Sequence, residues 1–202
     1  MSIEVTLVRT GTSNLASVIG ALERVGARVR VSSDPSEVRQ AGYVVLPGVG
    51  SFTAAQAELS SNGLIEPLIE RIEQDLPTLT ICLGLQLLAR SSAEAPDVSG
   101  LGVLPATVER FDDELRRPQL GWNWIAAPEG SGFVESGFAY FANSYHIPAG
   151  VDGWRATLAD YGGPFVAAVE RGNVVACQFH PELSGEFGQD LLARWLKGDP
   201  TC

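Results

Sequence analysis

Cys82 lies where an apolar strand pattern changes into a helical pattern. The strand pattern covers residues 79–82 and the helical pattern covers residues 83–90. A cysteine at an abrupt strand-to-helix turn, with Gly84 two residues later, has the form of a nucleophile elbow. Such a turn presents the thiol at the edge of the sheet, and the start of a helix favours the thiolate. We therefore predict that Cys82 is a nucleophile.

The histidines of the chain are His146 and His180, so the choice of a general base is narrow. His180 ends a strand pattern and precedes Pro181, which favours an extended backbone at the residue before it. In an extended segment, residues two apart share a face, so Glu182 is placed to orient the imidazole ring. His146 has no carboxylate close to it in the sequence. We predict a catalytic triad of Cys82, His180 and Glu182.

Two glycines separate a buried strand pattern at residues 43–46 from the helical pattern that follows. They belong to the segment 47–52, Pro-Gly-Val-Gly-Ser-Phe. The segment is either a tight strand-to-helix turn or a strand whose N–H groups bind an oxyanion together with the N–H that follows Cys82. It has neither the glycine spacing of a dinucleotide site nor the Lys-Ser/Thr pair of a phosphate loop. No nucleotide is therefore expected here.

Length and composition set outer limits on the function. A chain of 202 residues with 45% hydrophobic residues predicts one domain over residues 1–202. The net charge of −10 disfavours nucleic acid as a partner. No apolar stretch reaches the length of a membrane span and no basic signal peptide is recognisable, so no membrane association is predicted. Cys82, Cys177 and Cys202 lack metal-binding spacing and suit reduced thiols in the cytoplasm. No metal and no cofactor are predicted, and Cys177 is expected to be a buried, unreactive thiol.

Strand and helix patterns alternate in the first half of the chain. The strand patterns cover residues 5–8, 28–31, 43–46 and 79–82, and the helical patterns between them cover residues 15–25, 51–59 and 65–74. This alternation predicts an α/β fold with an open, mixed, mostly parallel sheet flanked by helices on both faces. After about residue 100, turn residues are frequent, and an added antiparallel portion is predicted. Its strand patterns cover residues 121–125, 138–141 and 164–169, and a last helical pattern covers residues 185–196.

These motifs resemble those of the class I (triad) glutamine amidotransferases, which have a flavodoxin-like fold. Within that class, the chain is similar to the glutaminase subunits of imidazole glycerol phosphate synthase. The Cys82 elbow and the His-Pro-Glu motif are common to the class. Four further segments are similar to the subfamily: Thr-Ser-Asn-Leu-Ala-Ser-Val at 12–18, Pro-Gly-Val-Gly at 47–50, Leu-Gly-Trp-Asn at 120–123 and Tyr-Phe-Ala-Asn-Ser-Tyr at 140–145. Of these, the Pro-Gly-Val-Gly and Gly-Trp-Asn motifs single out the subfamily.

The resemblance implies an enzyme that hydrolyses L-glutamine to glutamate and ammonia through a γ-glutamyl thioester, without a cofactor. It implies that the ammonia passes to a (β/α)8-barrel cyclase, bound as a heterodimer, which forms imidazole glycerol phosphate in histidine biosynthesis. The oxyanion-binding N–H groups implied by the resemblance are those of Val49, Gly50 and Leu83. The implied glutamine-binding residues are Gly50, Gln86, Ser144 and Tyr145. The implied contacts with the partner are Asn14, Ser17 and Trp122.

Several positions depart from the subfamily pattern. Thr80 replaces a glycine two residues before the nucleophile, and Asn143 and Gln119 each replace a histidine. Leu183 replaces the lysine that follows His-Pro-Glu and faces the cyclase, and Arg-Thr at residues 9–10 replaces Asp-Tyr. A β-branched residue in a tightly packed elbow is expected to press on the turn. The loss of an exposed lysine removes a salt bridge typically worth about 1 kcal/mol or less. These changes bear on the partner more than on the chemistry.

Three other functions remain open. His-Pro-Glu-Leu at residues 180–183 also suits the glutaminase of pyridoxal phosphate synthase, but that group has Gly-Gly-Glu-Ser-Thr in place of the Pro-Gly-Val-Gly segment. A free-standing γ-glutamyl hydrolase would turn over its substrate without a partner. A catalytically lapsed binding subunit would not react at Cys82 with a thiol-alkylating glutamine analogue.

Overall fold

The computed structural model describes residues 2–10 and 15–198, and its first half alternates between strands and helices. The helices are α1 (Leu15–Arg24), α2 (Pro35–Gln40), α3 (Phe52–Ser61), α4 (Ile65–Glu73), α5 (Leu83–Leu87) and α6 (Gly185–Lys197). The strands are β1 (Ile3–Val8), β2 (Ala27–Ser32), β3 (Tyr43–Gly48), β4 (Thr78–Cys82), β5 (Ala89–Ser92), β6 (Leu104–Arg110), β7 (Gln119–Ala126), β8 (Gly137–Asn143), β9 (Tyr145–His146), β10 (Arg155–Asp160), β11 (Pro164–Arg171) and β12 (Val174–Cys177). The predicted interface residue Asn14 and the residue Cys202 lie outside the described residues.

Nine strands in the described part of the chain form one sheet, in the order β2-β1-β3-β4-β12-β11-β10-β7-β8. The five strands from β2 to β12 are parallel to one another. The strands from β12 to β8 pair antiparallel. This mixed sheet confirms the predicted α/β fold and its antiparallel addition. Because β12 returns to lie beside β4, the segment that follows β12 reaches the turn at Cys82.

Helices cover both faces of the parallel half, because its strands have apolar side chains on both sides. Val45 packs in a cluster with Leu22 of α1 and Trp195 of α6. The next residue, Leu46, points to the opposite face and packs in a cluster with Leu68 of α4. Each fully buried side chain of this kind contributes roughly 1.5–3 kcal/mol to the free energy of unfolding. Both faces therefore hold the carboxyl ends of β3 and β4 in place.

The helix after Cys82 is shorter than the sequence pattern predicts. α5 ends at Leu87, so the prediction of a helix through residue 90 was wrong in its last turn. The backbone there pairs with a later segment instead. The N–H of Leu101 donates to the carbonyl of Leu87, and the N–H of Leu104 donates to the carbonyl of Leu88, both at 2.8 Å. These long-range hydrogen bonds end the helix and lead the chain into β5.

A short helix, α2, was not predicted although its start has a readable signal. The Asp34 side chain accepts hydrogen bonds from the N–H groups of Ser36 and Glu37, at 2.7 and 3.2 Å. Pro35 occupies the first turn, where a missing N–H costs nothing. The other unpredicted elements are β5, β6, β9, β10 and a 3-10 turn at Pro181–Leu183. The extended backbone expected through Glu182 was wrong, because the chain turns directly after His180 and Glu182 reaches the imidazole from within this turn. No helix in the described ranges has the length and apolarity needed to cross a membrane.

Candidate active site

Cys82 occupies a strained turn between β4 and α5. Its φ of 54° and ψ of −109° lie in a region that residues other than glycine rarely adopt. Gly48, the last residue of β3, is in register with Cys82. A Cβ atom on Gly48 would lie 2.7 Å from the backbone nitrogen of Gly84, and one on Gly84 would lie 2.4 Å from the carbonyl oxygen of Leu46. The two glycines therefore allow the backbones of β3 and the elbow to pack directly against each other.

Thr80 fits into this elbow without removing the turn. Its side chain is fully buried, and its Cβ lies 3.3 Å from the place that a Cβ on Gly84 would take. Its hydroxyl makes no hydrogen bond to any described residue. The threonine therefore packs against the space that Gly84 leaves open, and Cys82 retains the conformation of an elbow.

His180 follows β12 and is held from two sides. Its Nδ1 lies 2.8 Å from Oε1 of Glu182, and the two side chains are each only 7% exposed. Burial by itself lowers the pKa of His180, but hydrogen bonds and charge interactions with Cys82 and Glu182 outweigh it and raise the pKa to about 10. This shift favours the protonated form of the ring. An imidazolium beside the sulfur favours a thiolate that can attack a carbonyl carbon, and it can then protonate a leaving amine.

A cavity of about 390 Å³ opens over Cys82. This volume is in the usual range for small-molecule sites. Gly50, at its rim, has a φ of 97°, a conformation that favours glycine. The structure brings together in the cavity lining all the residues predicted for the triad, the oxyanion site and the glutamine site, namely Cys82, His180, Glu182, Val49, Gly50, Leu83, Gln86, Ser144 and Tyr145.

The cavity has one carboxylate that sequence reasoning missed. Glu94 lines the cavity, and its Oε1 accepts a hydrogen bond from the N–H of Phe52, at the start of α3, at 3.3 Å. Burial raises the pKa of Glu94, and the hydrogen bond from Phe52 opposes that rise. No motif marks Glu94, because it reaches the cavity only through the tertiary contact between α3 and the segment after β5.

Asn143, which stands where the subfamily has histidine, also lines the cavity. Its Nδ2 donates to the carbonyl of Tyr145 at 3.0 Å. The same carbonyl accepts a hydrogen bond from Nε2 of Gln86 at 3.1 Å. The substitution therefore keeps a polar side chain that holds the backbone carbonyl of Tyr145, one of the predicted glutamine-binding residues.

Two other groups that can titrate do not line the cavity over Cys82. His146 stacks on Phe111, with 4.2 Å between ring centroids, and lines a different cavity. Burial lowers the pKa of His146, which favours the neutral form of its ring. Cys177 is fully buried, and burial raises the pKa of its thiol well above the usual value. An inert Cys177 is therefore consistent with the sequence-based expectation.

The sequence profile of the glutamine amidotransferase class-I family matches residues 6–197. The chain belongs to the class-I glutamine amidotransferase family. This amidotransferase is 39% identical to the imidazole glycerol phosphate synthase subunit HisH of Deinococcus radiodurans, over 96% of this chain and 93% of that protein. It is 40% identical to the chloroplastic imidazole glycerol phosphate synthase hisHF of Arabidopsis thaliana, over 95% of this chain but only 34% of that protein. The chain thus spans about a third of the Arabidopsis relative.

Solved structures agree on the fold of this amidotransferase. One described as a crystal structure of glutamine amidotransferase superposes with a TM-score of 0.75 and covers 95% of this chain and 96% of its own. Its sequence identity is 23%, so this likeness shows the fold alone. Together with the family match, it confirms the class I amidotransferase resemblance predicted from the sequence. The amidotransferase is a member of an enzyme family, as the triad motifs predicted.

Proposed function

We propose that this amidotransferase is the glutaminase subunit of an imidazole glycerol phosphate synthase. The observation that carries the proposal is the placement of Cys82 beside the His180–Glu182 pair, in a cavity of a chain 39% identical to a HisH subunit. The substrate is L-glutamine, which is hydrolysed to glutamate and ammonia. The relatives named HisH favour this assignment over the pyridoxal phosphate synthase type.

The first half of the reaction forms a covalent intermediate. The thiolate of Cys82 attacks the side-chain carboxamide carbon of glutamine and forms a carbon–sulfur bond. The oxyanion that develops accepts hydrogen bonds from the N–H of Leu83 and from the N–H of Val49 or Gly50. The His180 imidazolium gives its proton to the amide nitrogen, the carbon–nitrogen bond breaks, and ammonia leaves the γ-glutamyl thioester.

The second half of the reaction regenerates the thiolate. His180 is now neutral and accepts a proton from water, which attacks the thioester carbonyl carbon. The carbon–sulfur bond breaks, glutamate leaves, and the imidazolium again faces the thiolate of Cys82. Glu182 keeps the ring in one orientation through both steps, because its carboxylate accepts the Nδ1–H.

The α-amino and α-carboxyl groups of glutamine need partners of opposite charge or hydrogen-bonding type. Glu94 is the carboxylate of the cavity that the triad does not use, and we assign the α-ammonium group to it. Gly50, Gln86, Ser144 and Tyr145 bind the rest of the substrate. Because the hydrogen bond from Phe52 fixes Glu94 beside the Gly50 segment, the two sides of the substrate site are linked.

An exposed apolar surface lies next to the cavity. We call it the aromatic face, and it consists of Leu120, Trp122, Trp124, Phe138 and Tyr140 on one side of β7 and β8. Trp122 is 56% exposed and Phe138 is 57% exposed. The rings pair across the strands, with 5.9 Å between the centroids of Trp122 and Tyr140. Ala142 continues the same side of β8 into the cavity lining.

We assign the aromatic face to the (β/α)8-barrel cyclase subunit of a heterodimer. Exposed apolar patches rimmed by polar residues mark interaction surfaces, and tryptophan is frequent among their energetically dominant residues. Leu183 is 44% exposed at the edge of the cavity, so an apolar contact replaces the lysine of the subfamily there. Ser17 lies in the first turn of α1, one residue before the cavity-lining Val18. Ammonia released at Cys82 leaves through this side of the molecule.

Replacing Trp122 by alanine is expected to weaken binding of the cyclase by about 2 kcal/mol, or roughly 30-fold in Kd. Titration calorimetry with the purified cyclase measures this change. Arg90→Ala, at an exposed position on β5, is the matched surface control. Equal affinity of the Trp122→Ala protein and the wild type would contradict the assigned interface.

The function itself is tested by labelling with a glutamine analogue that alkylates thiols. Modification is expected at Cys82, shown by peptide mapping, and glutamine protects against it. Glutamine hydrolysis is expected to rise when the cyclase is added. Absence of labelling with the cyclase present would support the lapsed-subunit alternative, and full turnover without it would support a free-standing hydrolase. A reducing, cytoplasmic location is part of the proposal, because the mechanism needs the free thiol of Cys82.

A further inference from the structure

Gln178 lies next to the nucleophile, although no role follows for it from the triad motif. It directly follows β12, where Cys177 is in register with Ile81, so the next residues, Gln178 and Cys82, are neighbours. The Gln178 side chain is fully buried. Its backbone N–H donates to the carbonyl of Ala167 at 2.8 Å, which ties this residue to β11. A buried amide held in this way needs hydrogen-bond partners inside the protein.

The partners of Gln178 fix which end of its amide faces the sulfur. The carbonyl of Tyr145 can only accept a hydrogen bond, so the group of Gln86 that faces it, at 3.1 Å, is the Nε2 NH2 group of its amide. The same Nε2 donates to Oε1 of Gln178 at 3.0 Å. The other end of the Gln178 amide is therefore its Nε2 NH2 group, which lies 3.6 Å from Sγ of Cys82. Turning either amide over would set two groups of the same kind against each other.

We propose that Gln178 is a further catalytic residue, whose side-chain amide NH2 group donates a hydrogen bond to the Cys82 sulfur and stabilises the thiolate. The inference rests on the proposed glutaminase function. The sulfur is negatively charged before it attacks and again when the thioester breaks, and a donor at that place favours both states. α5 has only five residues and few aligned peptide groups, so a direct hydrogen bond is the stronger local source of this stabilisation.

The hydrogen bonds also connect the substrate site to the nucleophile. Gln86 lines the cavity and orients Gln178, and Gln178 contacts the sulfur. Loss of the Gln178 amide therefore has two separable effects. The effect on the sulfur is seen with a small alkylating agent that lacks the α-groups of glutamine, whereas the effect through Gln86 is seen in the KM for glutamine.

The test measures the rate of Cys82 alkylation by iodoacetamide against pH, with peptide mapping to assign the site. In Gln178→Leu, which keeps a side chain of similar volume and removes the donor, the acid limb of the rate profile is expected to move to higher pH by about one unit, a tenfold change in the protonation equilibrium. Gln178→Glu is expected to move the limb further, because a carboxylate repels the thiolate. The matched control is Thr157→Val, which changes another fully buried polar side chain of the same sheet outside the cavity lining.

An unmoved limb in Gln178→Leu, with or without a higher KM, would overturn the proposal, since the residue would then act only through Gln86 or on folding. An equal shift in Thr157→Val would overturn it as well, because the effect would be a general one on the sheet. Wild-type protein that alkylates at Cys82 but does not hydrolyse glutamine, even with the cyclase, would refute the proposed function instead. The two failures are therefore distinguishable.

Discussion

Replacing Cys82 by alanine is expected to lower glutamine hydrolysis by about 10⁴-fold or more, because the thioester cannot form without the sulfur. No second thiol can substitute for it among the described residues. Cys177 is fully buried, and burial raises the pKa of its thiol well above the usual value. Release of glutamate and ammonia in the presence of the cyclase measures the loss.

The control for the Cys82→Ala variant is synthesis from ammonium salts. The variant keeps its fold and the aromatic face, so the complex is expected to form its product from added ammonia as well as the wild-type complex does. A variant that still hydrolyses glutamine at a tenth of the wild-type rate would rule out the covalent mechanism. Loss of both activities together would instead indicate that the complex does not assemble.

Replacing Glu182 by glutamine is expected to lower kcat/KM for glutamine by about 10²-fold or more and to change its pH dependence. Glu182 is one of the groups that raise the pKa of His180 to about 10. Without the carboxylate, that pKa falls, and less imidazolium is available at a given pH to protonate the leaving ammonia. The basic limb of the kcat/KM profile, measured up to about pH 11, therefore moves to lower pH.

The Glu182→Gln variant is also expected to be less stable than the wild type, by an amount that decreases as the pH rises. The pKa of His180 in the folded chain lies above its ordinary value of 6.5, so the charged pair stabilises the folded state fully below pH 6.5. This contribution is lost as the pH rises through about 10. The thermal unfolding midpoint, Tm, of the Glu182→Gln protein is therefore expected to lie below that of the wild type at neutral pH and to approach it at high pH. An identical difference at every pH would show that the pair contributes nothing through its charge.

Local signals in the sequence predicted the elements of the parallel half except α2 and the end of α5, and they indicated the candidate triad residues that line one cavity. The apolar strand before Cys82 and the Pro181 after His180 act within a few residues, so their effects are readable without a fold. The end of α5 is different, because Leu87 stops the helix through a hydrogen bond to a residue that lies fourteen positions later, Leu101. A hydrogen bond between residues so far apart leaves no pattern in the sequence around Leu87.

The same distinction applies within the site. Gln86 and Tyr145 were placed through motif resemblance, and their roles remain proposals. Glu94 and the contact of Gln178 with the sulfur had no predicted role, because each depends on how separate elements pack. Glu94 accepts a hydrogen bond from the first residue of α3, and Gln178 contacts Cys82 only because β12 pairs with β4. The sequence thus indicates a candidate nucleophile and base, but not the groups that contact them from separate elements of the fold.

The pairing of β12 with β4 also bears on how the enzyme acquires activity as it is made. A growing chain that stops before β12 contains the thiol but lacks the imidazole and its carboxylate. The Cys82 thiol therefore has no general base beside it until β12 has been synthesised and has paired with β4. Chains that end before β12 are therefore expected to release no ammonia from glutamine, because they lack His180 and Glu182.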